Sequence, residues 1–309
     1  MYSSSTRTDL ALEAHESVRN HNNASVSPIH GVQVQECYRK ESNTQITRVF
    51  ITTKNGAKTI GKPMGRYITI EAPDMAQPDE GYHREIAKEL ASQLHYMIPQ
   101  LQKETSILVV GLGNRDVTAD ALGPNVIDNL CITRHILLEY GKAAYHQSHV
   151  HSVSSLSPGV MAKNGMDTAE IIKGVIAQTK PKLMLVIDAL AARSIRRLNT
   201  TIQLTDTGIL PGSGVGNHRK ALTKESLGIP VIAIGVPTVV DAATIVKGVY
   251  EAVDDEKHPF ACDKPEIQKA LQELNNMYVT NKDIDETIKR LSFTISEALN
   301  IAFEIPMQS

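Results

Sequence analysis

Two aspartates stand where a parallel α/β sheet places its chemistry. Asp120 follows the apolar run and tight turn of VVGLGNRDVTADALGP, Val109 to Pro124, and Asp188 follows the apolar start of VIDALAARS, Val186 to Ser194. An apolar strand that leads through a turn into a helix sets its last polar residue at the carboxyl edge of the sheet, where open α/β folds bind ligands. Two carboxylates at neighbouring strand ends can share a proton or a water, because like charges held close raise one pKa and leave the partner ionised. That is the acid and base a hydrolysis needs. The same pair also suits a divalent metal with a histidine as third ligand, for which His218 is the candidate. Judged singly, each aspartate fits a helix N-cap better than a catalytic role.

A second candidate is the loop PGSGVGNHRKAL, Pro211 to Leu222. Gly212, Gly214 and Gly216 free its backbone N–H groups, and His218, Arg219 and Lys220 add charge, so it suits a phosphate, a carboxylate or a substrate chain. It lacks the Gly-Lys-Ser/Thr ending of a nucleotide-binding loop, and its composition fits a surface loop as well. GLGNRD, from Gly111, has two glycines of a dinucleotide fingerprint but puts Asp116 where the third belongs, so Gly111 and Gly113 read as a tight strand exit. Thr238 and Asp241 have capping-box spacing. Ser194 has no nucleophile elbow around it.

These residues need a scaffold, and the pattern predicts one. Residues 1–29 read as a polar tail or pro-segment with a short helical pattern at Leu10, Leu12 and Ala14. Three β-rich runs follow, Val32–Tyr38, Ile46–Thr53 and Arg66–Glu71, with Asn55-Gly56 as a turn signal. From His83 the pattern is helical, then strand and helix alternate. The strands are Ile107–Val110, Leu183–Ile187, Thr201–Leu204 and Val231–Ile234. Helices are expected after Asp120, from Asp167 with Glu170 completing a capping box, over Ala189–Leu198, and from near Asp241. A long amphipathic helix follows Thr280. The expected fold class is α/β, a three-layer sandwich with a mostly parallel central sheet plus a small N-terminal β element.

Composition narrows the function. The 309 residues are 41% hydrophobic, enough for a substantial core, and carry a formal net charge of -2, which leaves no basic field for nucleic acid. Aromatics make up 4% with no Trp, against stacking platforms. The three cysteines, Cys37, Cys131 and Cys262, form no CxxC pair and suit a reducing compartment. No stretch approaches the roughly 20 apolar residues of a membrane span, and the N-terminus lacks a signal-peptide core, so a cytoplasmic protein is expected.

TDLALEAHE, GKPMGRYITIEAP, VVGLGNRDVTADALGP, SPGVMAKNGMDTAEII, IDALAARSIRRLNTTIQLTDTGILPGSGVGNHRKAL and GIPVIAIGVPTVVDAATI together resemble the germination proteases of spore-forming bacteria, and VTNKDIDETIKRLSFTISEALNIAF extends the likeness toward the C-terminus. The resemblance implies an endopeptidase that starts the degradation of small acid-soluble spore proteins in the spore core, with no direct nucleic-acid partner and no membrane, assembled as a homotetramer. It implies a phosphorylase/hydrolase-like fold shared with hydrogenase maturation endopeptidases. In those relatives two acids matching Asp120 and Asp188 touch nickel beside a histidine. For the germination protease the two aspartates are the catalytic pair, with no cofactor or metal required, and the histidine is not carried over. The resemblance further implies a zymogen whose propeptide is residues 1–9, cut between Asp9 and Leu10, ahead of one α/β peptidase domain over 10–309 with a β-rich subregion over 32–73. Asp9, Leu10 and Ala11 also look like the family's own substrate site, which makes the tail a built-in pseudo-substrate. Two departures stand out. The segment between Gly248 and Pro265 is shorter than the family's, and Arg115-Asp116 brings a third acid toward the aspartates, expected to shift the pH optimum by repulsion. Outside this family, the alternatives are a metal-dependent maturation peptidase or a non-catalytic anion-binding module.

Overall fold

The computed structural model describes residues 8–21, 29–102, 104–145, 149–212, 220–253, 265–274 and 277–305. The chain begins with α1 (Ala11–His21), the strands β1 (Val32–Arg39) and β2 (Thr44–Ile51), α2 (Lys54–Ile60), β3 (Gly65–Glu71) and α3 (Glu80–Met97). Next come β4 (Ser106–Gly111), α4 (Leu122–Asp128), α5 (Arg134–Tyr140), β5 (Ser152–Leu156), α6 (Met161–Asn164) and α7 (Thr168–Thr179). The remainder is β6 (Leu183–Ala192), β7 (Thr201–Thr205), α8 (Lys224–Leu227), β8 (Val231–Asp241), α9 (Ala242–Val253), α10 (Pro265–Glu273), β9 (Tyr278–Val279) and α11 (Ile284–Ala302).

The strands form one sheet in the order β1-β2-β3-β7-β8-β6-β4-β5, with β9 on β8. Its half β5-β4-β6-β8 is parallel, and β7, β3, β2 and β1 continue it antiparallel. The N-terminal β element is thus an extension of the main sheet, joined where Tyr67–Glu71 of β3 pair with Thr201–Thr205 of β7. Strand alternation divides the core into two faces. Ile107, Val109, Leu185 and Ile187 pack with α3 and α11, through Ile86, Leu90, Leu291 and Ile295. Leu108, Val110, Met184 and Val186 pack with Ile172 of α7. Helices α1 and α2 cover the corresponding face of the antiparallel half, over Val49, Ile51 and Tyr67. The expected three-layer α/β arrangement is the observed one.

Several local expectations are corrected. Asn55-Gly56 lies inside α2, because the Thr53 hydroxyl accepts from the Gly56 N–H and starts a helix where a turn was expected. The expected helix over Ala189–Leu198 is absent. β6 runs on to Ala192, paired with β8 through Val240, and only a 3₁₀ turn over Ile195–Arg197 follows. β8 likewise passes Ile234 and ends at Asp241, taking Pro237 into the strand beside the register shift at Leu190/Ala191, a position that tolerates proline. Asp241 does cap the next helix by accepting from Thr244, but Thr238 is a strand residue and takes no part. Asp167 caps α7 through Ala169, whereas Glu170 pairs with Lys220 and completes no capping box. Nor are residues 8–21 a loose tail, since Leu10 and Ala11 are fully buried. The shortened segment lies in part outside the described residues, between α9 and α10.

Candidate functional site

β4 stops at Gly111, paired with Ile187 of β6, and the Leu112 N–H still donates to the Ile187 carbonyl at 2.8 Å. Asp188 is therefore the first β6 residue past the end of β4. By alternation it continues the row of Met184 and Val186, and it is 7% exposed. Its Oδ1 accepts from the Ala189 N–H at 3.0 Å. Asp120 closes a 3₁₀ turn over Thr118–Asp120 just before α4. Its Oδ2 accepts from the Asn114 N–H at 2.8 Å, so the carboxylate folds back on its own loop. Neither aspartate serves as a helix N-cap: α4 has Ala121 there with no side-chain cap, and Asp188 lies within a strand.

The loop between β4 and α4 is held at its base by a close backbone contact. A Cβ on Gly111 would lie 2.2 Å from the Gly123 carbonyl oxygen, and one on Gly123 would lie 2.3 Å from that of Leu112. Within the loop, Gly113 has φ +118°, and a Cβ there would lie 1.9 Å from the Asp120 carbonyl oxygen. From the other side, the buried Thr238 hydroxyl donates to the Ala119 carbonyl at 2.6 Å, and Thr280 donates to the Thr238 carbonyl at 2.7 Å. Thr238 thus fastens the turn carrying Asp120 to β8, a role that sequence reasoning missed because its spacing from Asp241 imitates a cap.

Asp120 and Asp188 line one cavity of about 400 Å³, together with Thr238, Gly212 and, from the N-terminal segment, Asp9. That segment is bound in place. The Asp9 N–H donates to the Ala191 carbonyl at 3.3 Å, and the Ala191 N–H donates to Asp9 Oδ2 at 3.0 Å. Leu10 fills an apolar socket of Leu190, Ala192, Leu198 and Val240. Ala11 donates to Gln203 Oε1 at 2.7 Å. Behind it, the carboxylate of buried Glu13 accepts from the N–H groups of Arg193 and Ser194. The Arg197 guanidinium joins Glu16 and Glu71 beside Glu13, and this acidic ring holds its pKa above the ordinary arginine value although burial opposes the charge.

Of the glycine-rich loop, Gly212 reaches the cavity, while Gly214, Gly216, His218 and Arg219 lie outside the described residues. Among the described residues no group of three or more His, Cys, Asp or Glu is placed to hold a metal ion. Asp116 does not line the aspartates' cavity as expected of a third acid. It is exposed and paired with Lys163, while Arg115 pairs with Asp128 of α4, so both charges of this departure are compensated at the surface. Among the described residues no helix is long and apolar enough to cross a membrane.

Comparison with known proteins settles the lineage. A family model described as germination protease matches residues 11–258. The chain belongs to the germination protease family. Its relatives include the germination proteases of Caldanaerobacter subterraneus subsp. tengcongensis, 44% identical over 96% of this chain and 94% of that protein, and of Clostridium tetani, 42% identical over 97% and 96%. The germination protease of a Geobacillus species is 46% identical over 81% of this chain and 67% of its own length. A solved structure of a NiFe hydrogenase maturation protease, HycI from Thermococcus kodakarensis KOD1, matches with TM-score 0.33 and 19% identity, covering 66% of this chain and 99% of that one. As a member of the germination protease family, the protein is a peptidase.

Proposed function

We propose that this germination protease is an endopeptidase that opens the degradation of small acid-soluble spore proteins in the spore core, and that Asp120 and Asp188 activate the water that attacks the peptide bond. One observation carries the reading: the two family-matched aspartates share a cavity with Asp9. The ionised aspartate takes a proton from water, whose oxygen bonds to the carbonyl carbon. The protonated partner hydrogen-bonds to the carbonyl oxygen and then gives its proton to the departing amine as the C–N bond breaks. The products are a carboxylic acid and an amine, and the proton removed from water restores the pair.

The protein is made as a zymogen in this reading, and cutting Asp9–Leu10 removes residues 1–9. The buried socket around Leu10 and the two hydrogen bonds between Asp9 and Ala191, one from the Asp9 N–H and one to its carboxylate, support the segment as a pseudo-substrate, because an acidic residue followed by an apolar one is docked against β6. Family precedent suggests a homotetramer. The test is cleavage of a purified small acid-soluble spore protein by the processed protein, beside Asp120→Asn and Asp188→Asn, with and without chelator. Loss of cutting in both variants with no chelator effect is the expected outcome. Folded variants that cut at the wild-type rate would remove the aspartates from the mechanism, and chelator sensitivity would turn it into a metal reaction.

A further inference from the structure

The bond between Asp9 and Leu10 is gripped at its carbonyl. Lys62 Nζ donates to the Asp9 carbonyl oxygen at 3.0 Å and Gln203 Nε2 donates to the same oxygen at 3.2 Å, while Lys62 also reaches the Thr8 carbonyl at 3.0 Å. Gln203 binds the segment at a second point, its Oε1 accepting from the Ala11 N–H, so one buried amide spans the bond from both sides. Lys62 follows the left-handed Gly61 that ends α2, and Gln203 sits in the middle of β7. Together with Asp9 they line a cavity of about 410 Å³ that adjoins the one holding Asp120 and Asp188, with Asp9, Leu190 and Ile209 in the wall common to both. Asp9 thus stands between the cavity lined by the two aspartates and the cavity lined by the two N–H donors.

We propose that Lys62 and Gln203 form the oxyanion site of this peptidase, holding the carbonyl oxygen of the bond to be cut and stabilising the negative charge that develops there. The proposal rests on the reading of Asp9–Leu10 as a bond this protein cuts. As water adds to the carbonyl carbon, the C=O π electrons move onto the oxygen, which gains charge facing an ammonium and an amide N–H. When the C–N bond breaks, the carbonyl re-forms and the two donors are left on a neutral acceptor. Donors placed in advance at the position of developing charge are among the largest sources of rate enhancement in acyl transfer. Burial lowers the pKa of Lys62 from its ordinary value while the charges of Asp9 and Glu13 raise it, an environment in which an ammonium gains from a nearby oxyanion. After residues 1–9 have left, the same two donors face the corresponding carbonyl of an incoming chain.

A lysine on two successive carbonyls also pins a segment, so the test must separate holding from catalysis. The full-length chain is incubated as wild type, Lys62→Met, Lys62→Arg, Gln203→Leu and Asp188→Asn, and loss of residues 1–9 is followed by intact mass spectrometry. Hydrogen exchange at the Ala191 amide, which donates to Asp9 Oδ2 and contacts neither donor, reports whether the segment stays docked. Removing one oxyanion donor costs roughly 10²–10³ in rate. The expected result is a slowing of that order in Lys62→Met with Ala191 protection retained, partial recovery in Lys62→Arg, and a comparable loss in Gln203→Leu. Wild-type processing in Lys62→Met, or slowing that tracks lost Ala191 protection, overturns the proposal and leaves the two-aspartate reading standing. Normal processing in Asp188→Asn faults that reading alone, with Lys62→Met still deciding for or against the donors. A wild-type chain cut at another bond, or never cut, removes the processing site and the oxyanion assignment with it.

Discussion

Replacing Gly113 with alanine moves Asp120 without touching its carboxylate. The new methyl would lie 1.9 Å from the Asp120 carbonyl oxygen, about 1.5 Å inside the 3.4 Å of ordinary contact, and the neighbour is backbone, so the loop itself must shift. Holding alanine at φ +118° costs roughly 1–3 kcal/mol and the forced displacement roughly 1–3 more. The total of about 2–6 kcal/mol corresponds, at about 2 °C per kcal/mol for a chain of this size, to a melting temperature lower by roughly 4–12 °C. Activity falls further than stability does. A shift of the 3₁₀ turn strains the Asn114 N–H to Asp120 Oδ2 bond of 2.8 Å, and a catalytic group misplaced by about 1 Å can cost about 10²-fold. Gly141→Ala is the control: it too has positive φ, +68°, but nothing lies within 4 Å of its Cβ position, so it incurs backbone strain alone and leaves the rate unchanged. Thermal melts and the cleavage rate of a spore-protein substrate, measured for both variants, decide the matter. If Gly113→Ala keeps the wild-type rate, or loses no more than Gly141→Ala, the idea that this contact positions Asp120 is wrong.

Other expectations follow from single contacts. Leu10→Ala empties the socket of Leu190, Ala192, Leu198 and Val240, which costs about 2–5 kcal/mol, and hydrogen exchange at the Ala191 amide should rise with it; unchanged exchange would show that Leu10 does not hold the segment. Arg197→Met leaves Glu13, 2% exposed, beside Glu16 and Glu71 without the guanidinium, and breaking a buried pair costs roughly 3 kcal/mol; a melt within 1 °C of wild type, against a drop of about 6 °C expected, would contradict this. Buried His151 accepts from the Thr105 N–H at its Nδ1, and burial holds its pKa below the ordinary 6.5. The folded state therefore binds this proton more weakly than the unfolded state, so the stability from His151 is complete above pH 6.5 and declines as pH falls toward the folded pKa. Melts from pH 8 to pH 5 should show a smaller decline in His151→Asn than in wild type, and equal declines would assign the acid sensitivity to other groups.

The sheet's parallel half was legible in the sequence because Ile107–Val110 and Leu183–Ile187 are apolar runs too short for buried helices, and α11 because its apolar residues recur at helical spacing. Elsewhere local chemistry pointed one way and tertiary pairing another. ALAAR after Asp188 has the composition of a helix, yet β8 beside it offers a full ladder, and pairing prevails through Ala192. Asp120 was found from the turn that follows its apolar run, whereas Asp188 was expected at a strand end that β6 does not have, and it reaches the common cavity because β4 beside it stops at Gly111. Lys62 and Gln203 were not found, because each is a single polar residue without a local pattern, and only the docking of Asp9 brings them to one atom. The composition of residues 1–29 suggested a tail because its serines, histidines and asparagines outweigh the short stretch Leu10–Leu12 that is buried.

The contact between Gly111 and Gly123 makes the segment between them a closed ring with a fixed clasp. Neither glycine can be trimmed to make room for a larger partner, since both are already minimal, so a change at one end has no compensating change at the other. Arg115 and Asp116, at the outer rim, are exposed, lie outside the lining of the aspartates' cavity and face no such constraint. Substitutions can accumulate there while the ring's circumference and the placement of Asp120 stay the same. A lineage can therefore vary the charge and shape displayed at this rim independently of the chemistry beneath it, whereas the addition or loss of one residue inside the clasp alters both at once.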